Sequence, residues 1–164
     1  MEIDREALLA AMTYNKKSGI CRWRTTRKGV EKVNQVAGYV DKQGKRWIRF
    51  SNGRYRSTHL IWFYVTGTWP PVLVDHEDLN VSNDKWRNLR LATHAQNHCN
   101  LRKSKRNTSG YKGVSFCKKK NKFEVRINFE GKCHRLGYYK TARLGHAVYK
   151  KASQRYHGAY GRIS

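Results

Sequence analysis

The sequence predicts an α+β fold in two domains, and three observations carry that prediction. Short apolar runs bounded by turn formers alternate with capped helical segments over the first hundred residues. A basic stretch without apolar periodicity, Leu101-Arg102-Lys103-Ser104-Lys105-Arg106-Asn107-Thr108-Ser109-Gly110, then interrupts the chain. Beyond it the pattern becomes strict apolar-polar alternation followed by helical spacing. These mark a domain over 1–101, a linker over 102–110 and a second domain over 111–164.

The elements follow in order. Met1 to Ala11 reads as a short helix with Asp4 as its N-cap. The five tryptophans, Trp23, Trp47, Trp62, Trp69 and Trp86, all precede the linker and are expected to anchor the first core. Val72-Leu73-Val74 is a strand that ends on an acid and an imidazole, Asp75 and His76. Asn88-Leu89-Arg90-Leu91-Ala92 is a second short strand, after which Thr93 caps a polar helix carrying Asn97. If the hairpin folds back on the helix, Asp75 and Asn97 meet across it as two hard oxygen ligands of the kind magnesium accepts, with His76 beside them as a base. Taken singly, an acid-histidine pair at a strand end is a solubility feature, and the asparagines are turn and cap residues.

In the second domain Phe123, Val125 and Ile127 alternate with Glu124, Arg126 and Asn128. Flanking strands over Tyr111 to Cys117 and Lys132 to Tyr139 complete a three-stranded antiparallel meander. Thr141 caps a helix to about His157, whose Leu144, Val148, Ala152 and Tyr156 are spaced to cover the apolar face. The other face is left for a partner.

Charge names that partner. The 164 residues carry 35 Lys and Arg against 11 Asp and Glu, a net of +24, which implies a polyanion. Residues 102–164 hold 18 basic and 2 acidic side chains, so the linker residues Arg102, Lys103, Lys105 and Arg106 are expected to track phosphates. No apolar run reaches the roughly 20 residues of a membrane span and no signal-peptide pattern opens the chain, so membrane partners are excluded and a cytoplasmic location is expected. Cys21, Cys99, Cys117 and Cys133 form no C-x-x-C pair; they read as free thiols, and zinc is not expected.

The spacings of Asp75-His76, Asn88-Leu89-Arg90 and Asn97, 13 and 9 residues apart, resemble those of HNH nucleases of the phage and intron homing branch. Thr58-His59-Leu60-Ile61-Trp62, Gly67-Thr68-Trp69-Pro70 and Gly19-Ile20-Cys21-Arg22-Trp23-Arg24 extend the resemblance upstream. It implies a ββα-metal motif over about 72–101, hydrolysis of phosphodiester bonds in double-stranded DNA, and one Mg2+ or Mn2+ held by Asp75 and Asn97. His76 would be the general base and Asn88 the residue that pins the hairpin loop. No small-molecule cofactor is implied, and the protein would act as a monomer or dimer on DNA. The family has glycine where Leu79 stands; leucine does not take positive φ cheaply, which predicts a different loop path here.

Tyr111-Lys112-Gly113-Val114, Lys122-Phe123, Leu136-Gly137-Tyr138-Tyr139, Thr141 and Ala147-Val148-Tyr149 resemble the DNA-binding domain of plant ethylene-response (APETALA-type) transcription factors, over roughly residues 108–161. The resemblance implies that the open sheet face enters the major groove. It would present Lys112, Arg126 and Arg135, the last two as candidates for guanine contacts or, equally, phosphate contacts. Two other function classes compete with an endonuclease: a catalytically silent DNA-binding regulator and an RNA-binding accessory protein.

Overall fold

Asp4 starts the first helix by accepting the backbone N–H groups of Glu6 (3.0 Å) and Ala7 (3.3 Å), so α1 spans Arg5–Ala11. The computed structural model describes residues 3–26 and 32–163, so the expected start of this helix at Met1 lies outside the described residues. β1 (Met12–Asn15) follows at once and pairs antiparallel with β2 (Ile20–Trp23). Asn15 closes their turn through its side chain, and Gly19 completes it at φ 78°.

A three-stranded antiparallel sheet of β3 (Tyr39–Val40), β4 (Arg46–Phe50) and β5 (Gly53–Arg56) runs directly into α2 (Ser57–Thr66). Gly67 ends that helix in the left-handed conformation, its N–H bonded to the Phe63 carbonyl. β6 (Leu73–His76) and β7 (Leu89–Ala92) form the predicted hairpin, with Asp75 opposite Arg90 and His76 opposite Leu89. Leu8, Met12, Cys21, Trp23, Ile48, Leu60, Ile61 and Leu89 belong to the core of this unit.

The expectation that the tryptophans anchor this core holds for part of the set, Trp23 within it and Trp86 packed against it. Trp23 is buried in that core, whereas Trp69 is 43% exposed and Trp47, Trp62 and Trp86 are half-buried. Polar or cationic neighbours account for two of them: the Trp47 indole N–H donates to Asp41, and Lys16 lies over Trp86, which also packs against the core.

Internal contacts divide the chain into two units, Met1–Ala92 and Thr93–Ser164. The second opens with α3 (His94–Asn100), started by a capping box between Thr93 and Gln96. Lys112 holds the other end of α3, its ammonium donating to the carbonyls of Cys99 and Leu101, both at 2.6 Å. Within the basic stretch, residues 102–106 are exposed, while Asn107 donates to the carbonyls of Tyr111 and Val114 and orders the entry to the sheet.

That sheet is the expected meander of β8 (Val114–Cys117), β9 (Lys122–Phe129) and β10 (Lys132–Tyr139), in the order β10-β9-β8, covered by α4 (Ala142–His157). The covering stripe of α4 differs from the one the sequence suggests. Gly145, Tyr149 and Ser153 are buried, and Leu144 is 55% exposed. The reason is close approach: a Cβ on Gly145 would meet Val125 at 2.9 Å, so the helix turns Gly145 to the sheet, with Tyr149 and Ser153 on the same stripe. A bulge between Arg135 and Gly137 also shifts the register of β10 and brings Tyr138 opposite Glu124.

Gly113, at φ 72°, lies under the Tyr149 ring, where an added Cβ would come within 2.2 Å. Gly113→Ala therefore combines a left-handed backbone with overpacking, and the expected cost is about 2 to 4 kcal/mol, read as a lower urea midpoint. A midpoint equal to that of the parent protein would contradict this packing.

Candidate active site

Strand pairing fixes where Asp75 and His76 stand. Both lie at the end of β6 and are buried, 7% and 5% exposed, because β7 closes one side of the strand. The imidazole does not rest on packing alone. Its Nε2 is 2.8 Å from Oδ1 of Asp84, which is itself 4% exposed. Ser57, the first residue of α2, donates its hydroxyl to the other Asp84 oxygen at 2.5 Å. The backbone carbonyl of Asp84 accepts the Tyr14 hydroxyl at 2.7 Å, tying the hairpin loop to β1. A carboxylate oxygen only accepts, so the bond requires a hydrogen on Nε2, and in the neutral ring the basic lone pair then belongs to Nδ1.

Asp84 was not among the residues singled out by sequence reasoning. Its only signal is an acid within the polar loop Asn80-Val81-Ser82-Asn83-Asp84, which reads as solvated turn chemistry. Burial and three converging partners become visible only once α2 and β1 close over the loop.

Asn88 sits buried in a short 3₁₀ turn, Trp86–Asn88, at the mouth of the hairpin. Its Oδ1 accepts the N–H of Asp78 (3.1 Å), and its amide donates to Asp78 Oδ1 (3.0 Å) and to the Asn83 carbonyl (2.8 Å). Its own carbonyl takes the N–H of Glu77 at 3.0 Å. One side chain thus joins both arms of the loop between β6 and β7.

Leu79 occupies the left-handed region at φ 64°, the conformation a glycine would supply, with its N–H bonded to the His76 carbonyl at 3.0 Å. The expected alternative path at this residue is therefore corrected. The Asp78 and Asn88 bonds over-determine the turn and hold leucine in a backbone conformation that costs roughly 1–2 kcal/mol.

Asp75 is braced by Arg90, whose Nε and Nη2 both lie 3.3 Å from Oδ2. Asn97 lies on α3 in the second unit, half-buried. Among the described residues no group of three or more His, Cys, Asp or Glu side chains is arranged to hold a metal. All four cysteines are free, and burial, then the nearby Asp84 charge, pushes the Cys21 thiol up to about 12.

The candidate DNA-contacting residues divide by what they touch. Arg126 and Arg135 stand on the open face of β9 and β10, where Glu124 holds both: Nη2 of Arg126 is 2.8 Å from Oε2, and Nε of Arg135 is 2.6 Å from Oε1. Tyr138 adds its hydroxyl at 3.1 Å. The Arg126 hydrogen bond chiefly holds the Glu124 carboxyl below its ordinary value, against desolvation and with help from Tyr138 and Arg135. Arg102, Lys105 and Arg106 are exposed, Lys103 donates to the Gly110 carbonyl, and Lys112 is occupied by the end of α3.

Two predictions concern the loop. Leu79→Gly should raise stability by about 1 kcal/mol by relieving the left-handed backbone, measured by denaturant unfolding; a loss of stability would mean that the leucine side chain contributes more than the strain removes. Asp78 titrates low: burial, its largest influence, raises it, but hydrogen bonds from Asn83, the Asn80 N–H and Asn88 prevail. A depressed carboxyl contributes stability that is present above the unfolded value, about 3.9, and lost as pH falls through the folded one. The stability gap between the parent and Asp78→Ala should therefore narrow below about pH 4, and a pH-independent gap would contradict the assignment.

Comparison with known proteins finds a family match over the segment that contains this site. Residues 57–99, which include Asp75, His76, Asp84, Asn88 and Asn97, match the family model described as HNH endonuclease. Over 75 residues the chain is 39% identical to Protein 3.8 of Escherichia phage T7, an alignment covering 45% of this chain. The chain spans 62% of the length of that phage protein. No solved structure matches the chain.

Proposed function

We propose that the protein is an endonuclease that hydrolyses phosphodiester bonds of double-stranded DNA with the help of a divalent metal ion. The buried bond between His76 and Asp84, beside the Asp75 carboxylate, carries this reading, because it supports an imidazole of defined tautomer next to a hard oxygen donor. The HNH match over this segment and the net charge of +24 support the same conclusion.

In this mechanism His76 takes a proton from a water through Nδ1, while Asp84 fixes the ring and stabilises the imidazolium that forms. The water oxygen bonds to phosphorus, the bond to the 3′ oxygen breaks and that oxygen takes a proton from solvent, leaving 5′-phosphate and 3′-hydroxyl ends. The donor chemistry at Asp75 fits Mg2+ or Mn2+, since an anionic carboxylate at the strand end suits a hard cation and Arg90 orients it through Oδ2. Asn97 is the proposed second ligand. When bound, the ion would supply stabilisation of negative charge on the leaving oxygen. Asn88 holds the loop that carries His76.

The proposed division of labour gives the chemistry to residues 1–101 and most of the grip on DNA to the sheet of 111–164, by analogy with ethylene-response domains, with 102–110 tracking phosphates. Among the described residues no helix is long and apolar enough to cross a membrane, and a cytoplasmic location belongs to the same proposal. One site cuts one strand, so a monomer nicks and a double-strand break needs a second subunit or a second visit.

His76→Ala should lower supercoiled-plasmid nicking with magnesium by about 10² to 10⁴ while duplex binding persists; near-normal nicking would reject the base. Asp84→Asn should fall comparably, because an amide can donate to Nε2 and force the opposite tautomer, yet it should bind DNA and melt close to the parent. Ser57→Ala should lose much less. A plasmid left intact by the parent protein with magnesium or manganese would favour the silent regulator instead.

A further inference from the structure

The β3-β4-β5 sheet has a side that the nuclease reading does not use. Register pairs Tyr39 with Trp47, Trp47 with Arg56, and Arg49 with Arg54. Residues two apart share a face, so Tyr39, Trp47, Arg49, Arg54 and Arg56 stand together, opposite the buried Ile48 and Phe50. The guanidinium carbon of Arg54 lies 4.7 Å from the Trp47 ring centroid, and that of Arg56 lies 5.4 Å away. Arg54 also donates to the Tyr39 hydroxyl at 3.3 Å.

Three arginines on one sheet face repel one another and would ordinarily be matched with acids. Among the described residues none of the three is in an ion pair. Two acids act on Arg56 through their charge: Asp84, whose oxygens are occupied by Ser57 and His76, and Asp41, occupied by the Trp47 indole and by the N–H groups of Gln43 and Lys45. Arg49 and Arg54 are exposed, Tyr39 is 48% exposed, and the buried Nε of Arg56 lacks a hydrogen-bond partner among the described residues. A guanidinium stacked on an aromatic ring is held in place yet keeps its in-plane N–H edge for a phosphate, which it can bind through two parallel hydrogen bonds.

We propose that this face is a contact surface for the phosphate backbone of duplex DNA, distinct from the open face of the β8-β9-β10 sheet. Arg49 and Arg54, side by side in register, donate to phosphate oxygens, and Trp47 holds the Arg54 guanidinium in place for that contact. The proposal rests on DNA being the partner of this chain, and its test is separable from cleavage.

The test uses the full chain carrying His76→Ala, so that binding is measured without cutting. Anisotropy titrations of a labelled DNA duplex over a salt series compare it with Arg49→Ala/Arg54→Ala and with the charge-matched control Lys17→Ala/Arg24→Ala. Losing two phosphate contacts should flatten the slope of log affinity against log salt by about 1.8 and weaken binding at least several-fold, with the control close to the parent. Arg49→Lys/Arg54→Lys should restore the slope, which also excludes misfolding as the cause. An Ala pair indistinguishable from the control, or a loss confined to duplex RNA, would overturn the proposal. If the unmutated chain fails to nick DNA and the Ala pair still shows the flattened slope, the surface stands and the nuclease reading falls.

Discussion

The buried carboxylate of Asp84 is the constraint on which the first unit depends. Each of its oxygens accepts one hydrogen bond, from His76 and from Ser57, and its backbone carbonyl accepts a third from Tyr14. These partners come from β6, from the start of α2 and from β1, so one loop residue joins three elements far apart in sequence. A buried acid is costly unless satisfied, and here every donor is supplied by a different element. The loop is consequently tied to β1, β6 and α2 where a polar surface loop would ordinarily stand free.

The same logic explains how an unfavourable backbone is tolerated. Leu79 in the left-handed region stores strain, but Asp78 and Asn88 clamp the turn on both sides. Strain held by surrounding bonds is characteristic of sites where side-chain placement matters more than stability. Around His76 the outcome is an imidazole fixed at Nε2, in a hairpin whose loop arms are joined by a single asparagine.

Arginine placement recurs as a theme in both units. In the second, Glu124 holds Arg126 and Arg135 together on the open sheet face, so two cations share one nearly buried acid and stay oriented. In the first, aromatic stacking does that work, with Trp47 beneath Arg54 and Arg56. Both devices hold the guanidinium in place and so would reduce the side-chain entropy lost if it engaged an anion.

Local chemistry by itself determined the α+β class, the hairpin that ends on Asp75 and His76, the Thr93 cap, the three-stranded meander and its covering helix. Each follows from periodicity or from a cap, which are short-range properties of the chain. The tertiary structure alone decided that Asp84 is the partner of His76, because an acid in a polar loop shows its burial only after α2 and β1 have closed on it. It likewise decided which stripe of α4 faces the sheet. Sequence favours the larger Leu144, but the gap beside Val125 admits only Gly145, and shape rather than hydrophobicity settled the rotation. The tryptophans show the same limit: four of the five keep some exposure, two of them, Trp47 and Trp86, beside charged or polar neighbours that no local pattern records.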